Sequence, residues 1–264
     1  MKKLITAAGL WSIVLVPLLA GIQEPVKKKI ESIDDLPRYT YAVEGKVSKL
    51  YADKEAFREF ARLVCADIEK DLKTYDIQDN KTLRSYYSTL LALDMMTGDY
   101  EAALHRVFRI RELHDNVANR LTSGIVDEAI IKSYREAGPN CKPDRDVFMR
   151  HLSQAVDTLP WEIVQEKIEE LKGQMVILSE NFMLGLVEGQ FDPVVEKTGQ
   201  ISNDIAARLI SMRYVVDFQL PLIEQIIAVF EKYIEENRFE KKDIWQERDV
   251  ALTEVEGLHT VLVA

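Results

Sequence analysis

Residues Asp53–Leu72 read DKEAFREFARLVCADIEKDL, and their spacing decides the fold class. Phe57, Phe60, Ala61, Val64, Ile68 and Leu72 recur at three- and four-residue steps. That period lines them along one face of an α-helix, with the charged residues on the other. Asp53, just ahead of the stripe, is suited to be its N-cap.

The same grammar continues toward the C-terminus. Asp79 or Asn80 can cap a helix with Leu83, Tyr86, Tyr87, Leu90, Leu91 and Leu93 at its apolar positions. Asn80-Lys81-Thr82 also matches a glycosylation acceptor, although cap residues are expected at such a start. Gly98-Asp99-Tyr100-Glu101-Ala102-Ala103 breaks and restarts the helix, and Ala103, Val107, Ile110 and Leu113 share a face beyond it. This stretch resembles the inter-helix turn of a tetratricopeptide repeat, with Gly98 in the bend and Ala103 permitting close packing. The match occurs once, whereas stacked repeats need several neighbours to bury a continuous core. A further helix is expected near Ile125–Ala137.

Gly138-Pro139-Asn140-Cys141-Lys142-Pro143 is the strongest breaker cluster and divides two helical halves. A helix from about Asp144 to Val156 follows it. Thr158-Leu159-Pro160-Trp161-Glu162 then forms a helix start. Trp161, Val164, Ile168, Leu171, Met175, Leu178 and Phe182 make a heptad seam along one long helix. Gly189-Gln190-Phe191-Asp192-Pro193 closes that helix and opens another carrying Val194, Thr198, Ile201, Ile205, Leu209 and Met212. A third runs from about Leu220 to Asn237. Short connections favour antiparallel neighbours. The expected fold is therefore all-α: TPR-like helical hairpins, then an antiparallel three-helix bundle.

At the other end, Lys2 and Lys3 precede the uncharged run Leu4 to Ile22, the form of a secretory signal. Leu18-Leu19-Ala20 departs from an A-x-A cleavage site, so an uncleaved membrane anchor is the alternative. Export to the periplasm or the medium follows from either. Residues 22–47 show no sustained period. The expected divisions are a signal peptide at 1–21, an extended leader at 22–47 and a TPR-like half at 48–137. A linker at 138–146, a helical bundle at 147–240 and a lead-in at 241–264 complete them.

A formal net charge of −10 argues against nucleic-acid binding, which needs a basic surface to displace counterions. The one basic cluster, His105, Arg106, Arg109 and Arg111, reads as a solvated helix face. Cys65 and Cys141 are the only cysteines. Cys65 lies among apolar helix positions as a buried thiol would, while an oxidising compartment also permits the pair to bridge.

No H-E-x-x-H, G-x-S-x-G, P-loop or G-x-G-x-x-G occurs. His105, His114, His151 and His259 lack ligand spacing, and Glu166, Glu169 and Glu170 fall on the outer side of the heptad helix. The chain thus offers no catalytic, cofactor-binding or metal-binding residue. Its expected partners are a protein or peptide, and a membrane only if the N-terminal segment stays uncleaved.

After Glu256-Gly257, the segment His259-Thr260-Val261-Leu262-Val263-Ala264 reads as a buried strand or an apolar tail docked on the helices. The residues before it offer a strand no clear partner. Val261-Leu262-Val263-Ala264 is similar to the strand that, in subtilisin-like serine peptidases, runs into the catalytic Asp. Asp243-Ile244-Trp245-Gln246-Glu247-Arg248-Asp249 resembles the lead-in to that peptidase domain in large exported bacterial subtilases. Ile33-Asp34-Asp35-Leu36-Pro37 and the Gly98-Asp99-Tyr100 hairpin resemble their helical N-terminal regions. The resemblance implies an accessory region of an exported endopeptidase whose Asp–His–Ser triad lies in a further domain, itself a partner for this one. It carries no catalytic role onto any residue here. Subtilase pro-segments are commonly small α/β inhibitor domains, from which a helical 48–240 departs.

Overall fold

The computed structural model describes residues 27–31, 33–138, 141–177 and 179–237. The expected signal peptide, the lead-in at 241–264 and its terminal strand lie outside them. In order, the chain forms β1 (Lys28–Ile30), β2 (Thr40–Ala42), α1 (Val47–Ala52), α2 (Lys54–Thr74), β3 (Tyr75–Ile77) and α3 (Asn80–Thr97). Then come α4 (Tyr100–Glu112), α5 (Val117–Thr122), α6 (Ile125–Ala137), α7 (Arg145–Val156) and α8 (Trp161–Ile177). The last are α9 (Glu180–Gln190), α10 (Asp192–Thr198), β4 (Gln200–Ser202), α11 (Asn203–Tyr214) and α12 (Ile223–Asn237). The protein is predominantly helical, as its periodicity requires.

Helix starts follow the capping chemistry. The Asp53 carboxylate accepts from Glu55 N and Ala56 N, both at 3.1 Å, and α2 buries Phe57, Phe60, Ala61, Val64 and Ile68. Asp79, not Asn80, caps α3, taking the Thr82 amide at 2.9 Å. Gly98 ends α3 in the left-handed region with φ 79°, and Asp99 caps α4 through Ala102 N at 3.1 Å. α3 and α4 run antiparallel. Arg84, early in α3, donates to the Leu113 carbonyl just past α4 (2.7 Å), and Arg109 lies over the Tyr87 ring. Ala103 is fully buried at this contact. Gly124, at φ 69°, lies so near α4 that an added Cβ would sit 2.6 Å from Val107 Cγ1. A larger residue there would be strained by the left-handed backbone and would force the Val107 side chain to shift.

Helices α2, α3, α4, α6 and α7 pack each on the next. Across this series runs one helical rod from Asn203 to Asn237: α11, a π-helical turn at Val215–Gln219, a 3-10 turn at Leu220–Leu222, and α12. Pro221 explains the irregular turns, because it has no N–H to give to the preceding turn. α11 rests on α2 and α3, the π turn on α6, and α12 on α7 and α8. The core is continuous from Ile30 to Tyr233, with Phe57, Phe148, Leu152 and Phe230 almost wholly excluded from solvent.

Four expectations need correction. The seam helix is broken, since α8 ends at Ile177 and Ser179 caps α9 by accepting from Phe182 N at 3.3 Å. Met175 and Phe182 are 44% and 49% exposed, so of the residues described the seam is buried only at Val164, Ile168 and Leu171. The helix from Val194 to Met212 is likewise divided. Gly199 (φ 67°) stops α10, β4 intervenes, and Ser202 Oγ accepts from Ile205 N to restart α11. The bundle differs too: α12 packs on α7 and α8, while α11 turns to α3. Finally, strands do precede the C-terminal segment. β1 pairs parallel with β3 (Ile30 opposite Ile77), and β2 antiparallel with β4 (Tyr41 opposite Ile201). Leu36, Tyr41 and Val43 of the leader are buried, and Val43 N donates to Gly199 O at 3.1 Å.

Candidate functional site

The leader's path over α2, α3 and the start of α11 encloses a cleft of about 350 Å³. Tyr39, Tyr41, Asp71, Tyr86, Ser202 and Asn203 are among the residues that wall it. Asp71 is the organising group. It falls one helical turn after Ile68 on the apolar face of α2 and is 1% exposed. Its Oδ1 accepts from Tyr39 Oη at 2.7 Å and its Oδ2 from Tyr86 Oη at 3.1 Å. Tyr41 Oη donates to Asp67 Oδ2 at 3.1 Å. Asn203 N, at the start of α11, donates to the Tyr39 carbonyl at 3.2 Å, fixing the leader's backbone as well.

Burial raises the Asp71 carboxyl above its ordinary value, while the two phenol donors hold it down. Burial, with the adjoining carboxylates, holds the Tyr39, Tyr41 and Tyr86 phenols well above the usual tyrosine range. They remain protonated donors, so the network orients surfaces and supplies no activated nucleophile.

Of the residues singled out by sequence, Asp34, Leu36, Pro37 and Tyr86 line this cleft, whereas the basic cluster, the outer glutamates of α8 and the described histidines lie elsewhere. Tyr87 lies beneath Arg109, and Tyr100 packs against Tyr134 with ring centroids 6.2 Å apart. Arg106 pairs with Asp94 (3.2 Å), Arg109 with Glu112 (2.5 Å) and Arg111 with Glu128 (2.6 Å). The three arginines of the basic cluster are thus ion-paired. Glu170 pairs with Lys167 at 2.8 Å, and Glu166, Glu169 and Glu170 are solvent-exposed. His114 Nε2 meets Ser123 Oγ at 3.1 Å, His151 Nε2 meets Glu136 at 3.0 Å, and His259 lies outside the described residues. Among the described residues no three His, Cys, Asp or Glu side chains are grouped to hold a metal. No helix among them is long and apolar enough to cross a membrane.

Cys65 is buried, Cys141 is exposed, and both are free, so the alternative of a bridge is not realised. Burial pushes the Cys65 thiol up to about 12, and its sulfur lies 3.7 Å from the Thr89 carbonyl. It packs as an inert thiol.

Asp94 gives the protein a pH signature. Burial pushes its carboxyl up to about 6 despite the Arg106 guanidinium, with Asp99 and Glu69 adding to the rise. The folded state therefore holds this proton more tightly than the unfolded chain, whose value is near 3.8. The resulting stabilisation is complete below that unfolded value and is lost as pH rises through about 6. On acidification from pH 7 to 4, the wild type should gain about 2 kcal/mol relative to Asp94→Asn, measured by urea unfolding. Parallel pH profiles for the two proteins would remove Asp94 as the cause.

No protein-family model, curated protein or solved structure matches the chain.

Proposed function

We propose that this protein is a binding module that takes an extended protein or peptide segment into the leader cleft. One observation carries the reading: the cleft is a built cavity whose buried carboxylate, Asp71, is spent on orienting the tyrosines of its walls. Its lining is rich in tyrosine, the residue type enriched where proteins recognise one another. Among the described residues β2 has a single strand neighbour, β4, and its second edge carries no strand. An extended segment pairs readily with such an edge while its side chains enter the adjoining cavity. The α2–α3–α4–α6–α7 series, with its TPR-like α3–α4 hairpin, serves as the scaffold.

A photo-crosslinker at Thr40, which lines the cleft and is exposed, tests this in the full chain. A single polypeptide should be trapped there and not from Glu196. Filling the cleft with Ser85→Trp should abolish trapping at unchanged Tm. Equal trapping at both positions, or none at Thr40, would reject the reading.

A second reading is favoured by residues 243–249 and 261–264, which resemble the approach to a subtilisin-like peptidase domain. On it, the module is the accessory N-terminal region of an exported endopeptidase, and proteolysis belongs to the parent's catalytic domain. Genomic sequence beyond codon 264 decides it: an Asp-Ser/Thr-Gly motif supports the assignment, and a stop codon ends it. N-terminal sequencing of the mature protein tests export and distinguishes a cleaved signal from a membrane anchor.

A further inference from the structure

The leader cleft carries negative charge that its own residues leave unbalanced. The charged groups of its lining are Asp34, Asp71 and Asp204 against one cation, Arg38. Arg38 lies 3.7 Å from Asp34, and both side chains are exposed, so that pair serves the outer rim. No lysine or arginine among the described residues forms an ion pair with Asp71 or Asp204. The exposed Lys70 acts on Asp71 only through space. Asp71 is sealed from solvent, but Tyr39, which donates to it, is half-buried and belongs to the cleft wall. A phenol that gives its proton to a carboxylate keeps its oxygen lone pairs, and the bond strengthens them as acceptors. The charge of Asp71 is thereby presented to the cleft through the Tyr39 oxygen. Asp67, bonded to Tyr41 Oη, adds a further charge behind the same wall. Asp204 is exposed in the first turn of α11, and its field reaches the Tyr86 phenol. A helix N-terminus offsets only about half a unit charge, so Asp204 stays net negative.

The remaining lining suits an occupant of opposite charge. Leu36, Pro37 and Ile68 offer apolar surface beside these acceptors. A lysine or arginine joins a hydrocarbon stem to a charged tip, and tyrosine faces attract cations as well. An acidic segment would instead meet like charge across the interface. We propose that the cleft selects segments carrying a lysine or arginine, whose charged tip meets the Tyr39 oxygen and Asp204 while its stem lies on the apolar wall. This selectivity rests on the reading of the cleft as the site of an extended segment, and adds to it the charge of what is bound.

The test presents the full chain, with its photo-crosslinker at Thr40, with three heptapeptide pools. They differ only at the central position: lysine or arginine in the first, glutamine in the second, glutamate in the third. The other positions vary among threonine, valine, serine and tyrosine. At low ionic strength the basic pool should be trapped at least about tenfold more than the glutamate pool, the scale of one charge-assisted hydrogen bond. It should also exceed the glutamine pool, and added salt should narrow both margins. Asp204→Asn changes an exposed side chain and should keep the wild-type Tm. It should cut the preference for the basic pool over the glutamine pool about threefold, as for an exposed charge pair. Glu166→Gln makes the same change of net charge on the exposed side of α8 and should leave that preference intact. Equal trapping of the three pools would overturn the charge selection and leave the cleft as a segment site. An unaltered preference in Asp204→Asn, or an equal loss in Glu166→Gln, would overturn it too. Trapping of no pool at Thr40, or equal trapping from Glu196, would overturn the cleft reading itself.

Discussion

Arg213→Ala should lower the unfolding free energy by about 3–5 kcal/mol, the range for breaking a buried ion pair by deleting one partner. For a chain of this size that is a fall in Tm on the order of 10 °C. The guanidinium joins two distant parts of the sequence. Nε binds Asp217 within the rod, Nη1 binds the carbonyl of Tyr51 at the end of α1, and the plane lies over the Tyr51 ring at 5.3 Å. Deleting it strips a buried carbonyl of its donor and leaves Asp217 with Lys54 alone. Arg213→Lys should recover little, because one ammonium cannot reproduce two directed bonds and a stacked plane. Arg213→Met combined with Asp217→Leu should lose much less than Arg213→Ala, since it removes the stranded charge as well. Urea denaturation of the four proteins measures this. A loss under about 1 kcal/mol for Arg213→Ala would show that the junction does not depend on the arginine.

Arg213 also shows what sequence pattern can and cannot reveal. The helices were legible because burial on one face imposes a three-to-four-residue period, and because Asp53, Asp79 and Asp99 are short acceptors at the places where helices start. The groups that organise the rod junction and the cleft break that period. Arg213 follows Ala206, Leu209 and Ile210 on the buried face of α11, and Asp71 follows Val64 and Ile68 on that of α2. A charge in an apolar row is the available signal, since such a group is buried only when it has partners. The partners themselves were not legible. Tyr39 is 32 residues from Asp71, and Tyr51 is 162 from Arg213, so only tertiary packing joins them. The heptad reading of 161–182 failed for a related reason. An apolar repeat marks a face able to be buried, but how far it is buried depends on a neighbour's length and path. β2 and β4 escaped notice because three-residue strands are too short to show a period.

Asp71→Ala should cost about 2–4 kcal/mol and disable the leader cleft. Two phenols donate to this carboxylate, and each buried donor left without an acceptor costs about 1–3 kcal/mol. The sum is moderated because the carboxylate's own desolvation, visible in its raised proton affinity, is relieved by the substitution. Asp71→Asn should cost only about 1 kcal/mol, since the amide oxygen accepts from one phenol and the amide nitrogen donates to the other's oxygen. It should also remove a pH dependence. With the folded carboxyl raised above 3.8, Asp71 contributes stability that is present at low pH and lost as pH rises through its folded value. Tyr39→Phe separates packing from recognition. It keeps the ring against the cleft wall but leaves Asp71 only Tyr86, so stability should fall modestly while crosslinking from Thr40 falls sharply. If Asp71→Ala instead melts like the wild type, the leader is held by β2–β4 pairing and apolar burial alone. The tyrosine–carboxylate network would then have no part in shaping the cleft, and the binding surface would have to be sought elsewhere on the helical series.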